Sequence, residues 1–76
     1  MYKKGDRVEV DLSRFNRLRQ RKSRISGTVM STYDGPTTAM YAVHLDEPFT
    51  YAGPNNQLKR SDWAYATAKH LTKLRA

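Results

Sequence analysis

The sequence predicts a small all-β domain, five short strands curled into a partly open barrel. Three observations carry that expectation. Apolar and polar residues alternate over short runs, most clearly where Val8, Val10 and Leu12 are interleaved with Arg7, Glu9 and Asp11, the pattern of a strand with one buried face. Turn-forming groups separate the runs, at Asp34-Gly35-Pro36, Glu47-Pro48 and Gly53-Pro54-Asn55-Asn56. At 76 residues the chain makes one domain, and five short strands in so small a domain fit a partly open barrel.

Taken in order, Lys3-Lys4-Gly5-Asp6 is a turn-like lead-in. The first strand runs to Leu12. Ser13 to Arg24 then forms either one or two helical turns, with Ser13 as N-cap, or a long, partly mobile loop. Its apolar residues Phe15 and Leu18 are three apart, and no second apolar pair extends the stripe. The second strand is expected over Ile25 to Asp34, with Ile25, Gly27, Val29 and Tyr33 on one parity. Gly27 inside it marks a bend, a bulge or a close backbone approach. The third strand, Met40 to Asp46, turns Tyr41, Val43 and Leu45 to one face and Ala42 and His44 to the other. Strands two and three form a hairpin through Asp34 to Ala39. Glu47-Pro48 is expected to stop the third strand, and Phe49 to Arg60 to be an irregular surface loop. Ser61 to Ala66 reads as a strand in preference to a short helix capped by Ser61. A tight turn near Thr67 to Lys69 and a last strand through Leu71 and Leu74 complete the pattern.

A domain of this size buries only about 60% of its unfolded surface, so the core is thin. Trp63 and Phe49 are expected to complete it. Tyr51, in a loop with Gly53 and Pro54, is expected at the surface. There is no cysteine, hence no disulfide and no thiolate metal site. No apolar run approaches the roughly 20 residues of a membrane span. The first residues also lack the apolar core of a signal peptide. A soluble, cytoplasmic protein is the default expectation.

The charge is concentrated in one place. The chain carries 14 basic and 7 acidic residues, a net +7. Six of the bases, Arg14, Arg17, Arg19, Arg21, Lys22 and Arg24, fall in the acid-free stretch from Ser13 to Arg24. Outside it eight bases face seven acids, close to neutrality. Clustered arginine suits phosphate, because a guanidinium never loses its charge and donates paired hydrogen bonds. Contact with DNA or RNA is therefore the first expectation, with Asn16 and Gln20 able to reach base edges. Docking on an acidic protein surface is the alternative, since the same long-range field steers both partners. Lys59, Arg60, Lys69, Lys73 and Arg75 form a weaker second set, joined by Lys3 and Lys4. Unless the fold brings them beside the loop, they are ordinary solvated charges. Phe15 and Leu18 would pin the loop to the barrel, or with Tyr51 contact a base or a partner.

Lys4-Gly5-Asp6-Arg7-Val8, Gly27-Thr28-Val29, the run from Tyr41 to Pro48, Trp63 and the closing Leu71-Thr72-Lys73-Leu74 together resemble the SH3-like barrel superfamily, with its KOW-type and Tudor-type modules. The resemblance implies that Ser13 to Arg24 corresponds to the RT-type loop between strands one and two, a frequent binding edge in the family. The acidic loop and the aromatic and proline groove of peptide-binding SH3 domains are missing here. No four-aromatic cage for methyl-lysine is evident either, although Tyr33, Tyr41, Phe49, Tyr51 and Trp63 are present.

Catalysis and metal binding find little footing. His44 and His70 are the only histidines, without an HxxxH or HxxE spacing. His44 falls on the polar parity of the third strand and reads as a surface residue. No nucleophile elbow or glycine-rich phosphate loop frames the serines. The sequence thus points to a non-catalytic binding module without a cofactor. Its runner-up is a small adaptor or inhibitor of the kind phages and mobile elements encode.

Overall fold

The computed structural model describes residues 2–74. They form one antiparallel sheet of five strands: β1 (Arg7–Asp11), β2 (Arg24–Asp34), β3 (Ala39–Ala52), β4 (Leu58–Thr67) and β5 (Leu71–Lys73). The sheet order is β4-β3-β2-β1-β5, so the last strand returns to pair with the first. Only Ala68–His70, a 3-10 turn, links the two edge strands β4 and β5. At about 2 Å of rise per residue such a link is short, so the edges approach each other there. No ladder joins them among the described residues, and the sheet is open.

One cluster of side chains fills the curl. Val8, Val10, Val29 and Val43 are fully buried, and Ile25, Tyr41, Leu45, Phe49 and Leu71 nearly so. All five strands contribute, which a flat sheet could not achieve. Burying one such aliphatic or aromatic side chain contributes about 1.5–3 kcal/mol. No polar or charged residue among those described is buried with them. Gly27 pairs with Val8 on β1 and Leu45 on β3. A Cβ there would meet the His44 carbonyl oxygen at 2.6 Å, so the glycine marks the close backbone approach.

Three strand expectations need correction. The third strand does not stop at Glu47-Pro48 but continues to Ala52. The β3–β4 register shifts between His44 and Phe49, and Pro48, which has no N–H to donate, sits in that irregularity where no ladder bond is asked of it. Phe49 to Arg60 is consequently not a loop. It is a hairpin whose tight turn at Pro54–Asn56 places Asn55 and Asn56 at φ 63° and 59°, a region asparagine tolerates. Finally, Tyr33 does not join the core: it is 54% exposed. A bulge at Met30 inserts one unpaired residue between Val29 and Ser31, and one extra residue exchanges the two faces.

The core face of β4 is also the reverse of the expected one. Ala64 and Ala66 point inward, opposite Val43 and Tyr41, whose bulk already fills the space. Trp63 is 39% exposed and Tyr65 65%. Trp63 packs instead on the His44 ring, with centroids 4.9 Å apart.

Arg7 at the start of β1 ties down the β3 irregularity. Its guanidinium donates to both Asp46 carboxylate oxygens and to Thr28 Oγ1. The hydrogen bond from Arg7 holds the Asp46 carboxyl below the usual carboxylate range. A depressed folded pKa means that stabilisation is present above the unfolded value of about 3.9 and is lost as pH falls through the lowered folded value. Asp46→Asn is therefore expected to lower Tm at neutral pH, with a gap from wild type that closes as pH falls through the lowered folded value. Thermal melts of both proteins from neutral to strongly acidic pH check this.

Candidate nucleic-acid interface

The basic stretch forms no helix. Ser13 N–H donates to Asp11 Oδ1 at 2.9 Å, Phe15 N–H to the Leu12 carbonyl at 2.9 Å, and Leu18 N–H to the Phe15 carbonyl at 3.0 Å. These are successive turns, and Ser13 is a donor to Asp11 rather than a helix cap. Leu12 N–H bonded to the Ser23 carbonyl closes the base of the loop.

Beyond the turns, the loop docks on β3 as a short extra strand. Leu18 and Tyr51 lie opposite each other in an antiparallel bridge. Arg19 N–H donates to the Thr50 carbonyl at 2.9 Å, and Ala52 N–H donates to the Arg17 carbonyl at 2.8 Å. Gln20 fastens the far end: its Oε1 accepts from Thr50 N–H at 2.7 Å and its Nε2 donates to the Lys22 carbonyl at 2.6 Å. Gln20 thus holds the loop on β3 through both ends of its amide. Gln20→Ala leaves the half-buried Thr50 N–H without its acceptor and is expected to cost about 1–2 kcal/mol, read from urea denaturation.

Aromatic packing reinforces the same junction. Phe15 meets Phe49 and Tyr51, each at a ring-centroid distance of 6.2 Å. Phe49 is buried as expected, whereas Tyr51, expected at the surface, is half-buried against the core. The reason is the docked loop, which covers it with Leu18 and Phe15. Phe15 itself stays 37% exposed, so it both pins the loop and shows an edge to solvent.

This docking brings the two basic sets together. On its other side β3 pairs with β4, Thr50 with Arg60, Tyr51 with Lys59 and Ala52 with Leu58. Residues directly opposite in antiparallel strands share a face. Leu18, Tyr51 and Lys59 form one row, in which Leu18 and Tyr51 pack against the core and Lys59 is exposed. Arg19, Thr50 and Arg60 form the next row, on the opposite face, followed by Arg17, Ala52 and Leu58, where Ala52 is covered and Arg17 and Leu58 are exposed. Arg17, Arg19 and Arg60 therefore leave one outer face, and two strand spacings, about 10 Å, separate Arg19 from Arg60. That distance is close to the screening length at 0.1 M salt, so their fields add. Lys59 and Arg60 are not scattered solvated charges but neighbours of the loop. The run Phe49-Thr50-Tyr51-Ala52 alternates as a strand does, and that was the sequence signal for the partnership. Lys69 and Lys73 lie in the 3-10 turn and β5, without pairing to the loop. Lys3 and Lys4 precede β1, and Arg75 lies outside the described residues.

Within the stretch the charges are unequal. Lys22 Nζ lies 2.6 Å from Glu47 Oε1, and Arg24 lies 3.8 Å from Glu9 Oε1. These two bases are partly neutralised. Arg14 and Arg21 have no acidic partner among the described residues. Arg17 donates to the Ala52 and Gly53 carbonyls, and Arg19 to those of Asn16 and Leu18. Each of these guanidiniums is oriented by carbonyls yet retains its full charge and further donors. The uncompensated positive surface is thus Arg14, Arg17, Arg19, Arg21, Lys59 and Arg60.

Beside the loop a groove of about 390 Å³ opens along β4. Trp63 to Ala66 line one side. Val10 to Leu12, with Arg14 and Phe15, line the other, and Phe49 and His70 complete it. Asp11 in its wall is held below the ordinary carboxylate range by hydrogen bonds from the Ser13 side chain and backbone, aided by the charges of Arg24 and His70. His44 is on the surface as expected, its Nε2 3.0 Å from Asp62 Oδ2. Among the described residues no group of three His, Cys, Asp or Glu side chains could hold a metal ion. No helix there is long and apolar enough to cross a membrane. Comparison of the chain with protein-family models, with curated proteins and with solved structures finds no match.

Proposed function

We propose that this chain is a non-catalytic nucleic-acid-binding module of SH3-like, partly open barrel form. The barrel reading is supported by a β5 that returns to β1, by the short 3-10 link between the edge strands, and by the long basic loop between β1 and β2 in the RT-type position. The observation that carries the functional reading is the docking of the loop on β3. It aligns Arg17 and Arg19 with Arg60 on one face, flanked by the unpaired Arg14 and Arg21. A strip of oriented guanidiniums displaces counterions from a phosphate backbone and binds without reading sequence. A cytoplasmic setting accords with that role.

The second reading, docking on an acidic protein surface, draws support from Leu58, 68% exposed in the Arg17–Ala52 row. Apolar anchors of this kind dominate protein interfaces. Titration of the protein with mixed-sequence duplex DNA, single-stranded DNA and RNA at two salt concentrations decides between them. Micromolar or tighter binding that falls steeply with salt is the expected result. Absence of binding at low salt, together with loss of a captured protein partner on Leu58→Ala, would favour the second reading.

A further inference from the structure

We propose that the groove along β4 holds one unpaired nucleobase bearing an exocyclic amino group, so that the domain prefers single-stranded over duplex nucleic acid. This inference rests on the nucleic-acid reading above and adds the form of the ligand.

The first argument is the character of the groove. Its volume of about 390 Å³ suits a small planar ligand. Its lining combines the apolar residues Val10, Leu12 and Phe49 with the partly exposed ring of Phe15. An aromatic face accepts any base by stacking. A base inside a duplex is already stacked on its neighbours and cannot enter, so the selection is for unpaired strands.

The second argument is the placement of charge. Arg14 lines the groove with no acidic partner and Asp11 lines it as a carboxylate. The carboxylate repels a phosphate from the interior, and Arg14 continues the basic strip of the loop. The phosphate therefore sits at Arg14 and the base turns inward. A carboxylate offers about four acceptor sites, and Ser13 occupies only part of them. The remainder favours a base with an exocyclic amino group, as cytosine, adenine and guanine have, over thymine or uracil, whose single ring N3–H is flanked by two carbonyl oxygens that a carboxylate repels.

The third argument is the free edge of β4. Ser61 Oγ accepts from Trp63 N–H at 3.1 Å and donates to the Trp63 carbonyl at 3.2 Å, so the Trp63 backbone groups point away from β3. The period of two turns those of Tyr65 the same way. Tyr65 has no strand beyond it, and its N–H and C=O present one donor and one acceptor beside the groove.

Trp63 is the sole tryptophan and borders the groove, with its ring packed on His44, so its fluorescence reports changes at β4 when the groove is filled. The test titrates the full chain with homopolymers of deoxycytidine and of thymidine, about 12 nucleotides long, and with a duplex of equal length, at one low salt concentration. Single strands should bind about tenfold tighter than the duplex and change Trp63 fluorescence. The cytosine homopolymer should exceed the thymine one about fivefold. Asp11→Asn, which keeps an oxygen for Ser13 and replaces the other by an amide donor, should erase or invert that base preference in a protein that remains folded at the assay temperature, its Tm falling at neutral pH as the stabilised Asp11 carboxylate is lost. Equal affinity for duplex and single strand, with no base preference and no change in Trp63 fluorescence, would overturn the groove proposal and leave the nucleic-acid reading standing. Failure of every oligonucleotide to bind would overturn both. Fluorescence change on adding an extended apolar peptide, with none on adding oligonucleotide, would reassign the β4 edge to peptide addition and overturn the proposal.

Discussion

Replacing Arg17, Arg19 and Arg21 together with Ala is expected to weaken nucleic-acid binding about a hundredfold near 0.1 M salt, taking about 1 kcal/mol for each lost phosphate contact. The slope of log affinity against log salt should fall by about three, one for each contact. The fold should survive. The contacts that dock the loop are made by the Arg17 carbonyl and the Arg19 N–H, and alanine has both. The bonds lost are from exposed or half-buried guanidiniums to carbonyls, so the Tm should change by only a few degrees. Lys22→Ala with Arg24→Ala is the informative contrast. Those two side chains already face Glu47 and Glu9, and removing them frees two acids as it removes two bases. A smaller loss of affinity per residue is expected than for the triple variant. If the triple variant unfolds, the loop is a structural element rather than an exposed binding one.

The largest expected loss of stability is at Gly27. Gly27→Ala adds a Cβ that meets the His44 carbonyl at 2.6 Å, a Val43 methyl at 2.8 Å and Leu45 Cα at 3.0 Å. Two of the three obstacles are backbone atoms of the neighbouring strand, so the relief must come from prying β2 and β3 apart. A cost of about 3 kcal/mol is expected, at the upper end for overpacking. For a domain of this length that is a large share of a total of about 4–11 kcal/mol, and corresponds to a fall in Tm on the order of 15 °C. Gly53→Ala is the control. The atoms nearest its Cβ would be the Lys59 methylenes, at 3.0 to 3.3 Å, and a flexible side chain yields where a strand does not. Under 1 kcal/mol is expected there. Comparable losses at both sites would contradict the account of Gly27.

These two variants divide what was legible in the sequence from what was not. Alternation at Val8, Val10 and Leu12 located β1, and Asp34-Gly35-Pro36 located the β2–β3 hairpin, because both are local signals. Gly27 stood out for the same reason. The path of β3 through Pro48 was hidden, since its solution is a register shift on the partner strand. The exposure of Tyr33 was hidden behind a one-residue bulge at Met30, which no periodicity within β2 announces. Residue size argues for burial of Trp63, yet it is 39% exposed because the space opposite belongs to Val43 and Tyr41. The basic loop was plain from composition alone. Its docking through Gln20 and Leu18, and with it the meeting of Arg19 and Arg60, is tertiary information. So are the acids that take Lys22 and Arg24 out of the strip.

The central claim is that Arg17–Arg19, Thr50–Ala52 and Leu58–Arg60 form one contiguous phosphate-binding surface. Mapping backbone amide chemical shifts during titration with single-stranded DNA tests it most directly. The account predicts that the perturbed amides cluster on these three paired segments and on Arg14 and Arg21, with the shifts fading as salt is raised. Perturbations centred instead on Lys3, Lys4, Lys69 and Lys73, with the loop unaffected, would contradict it.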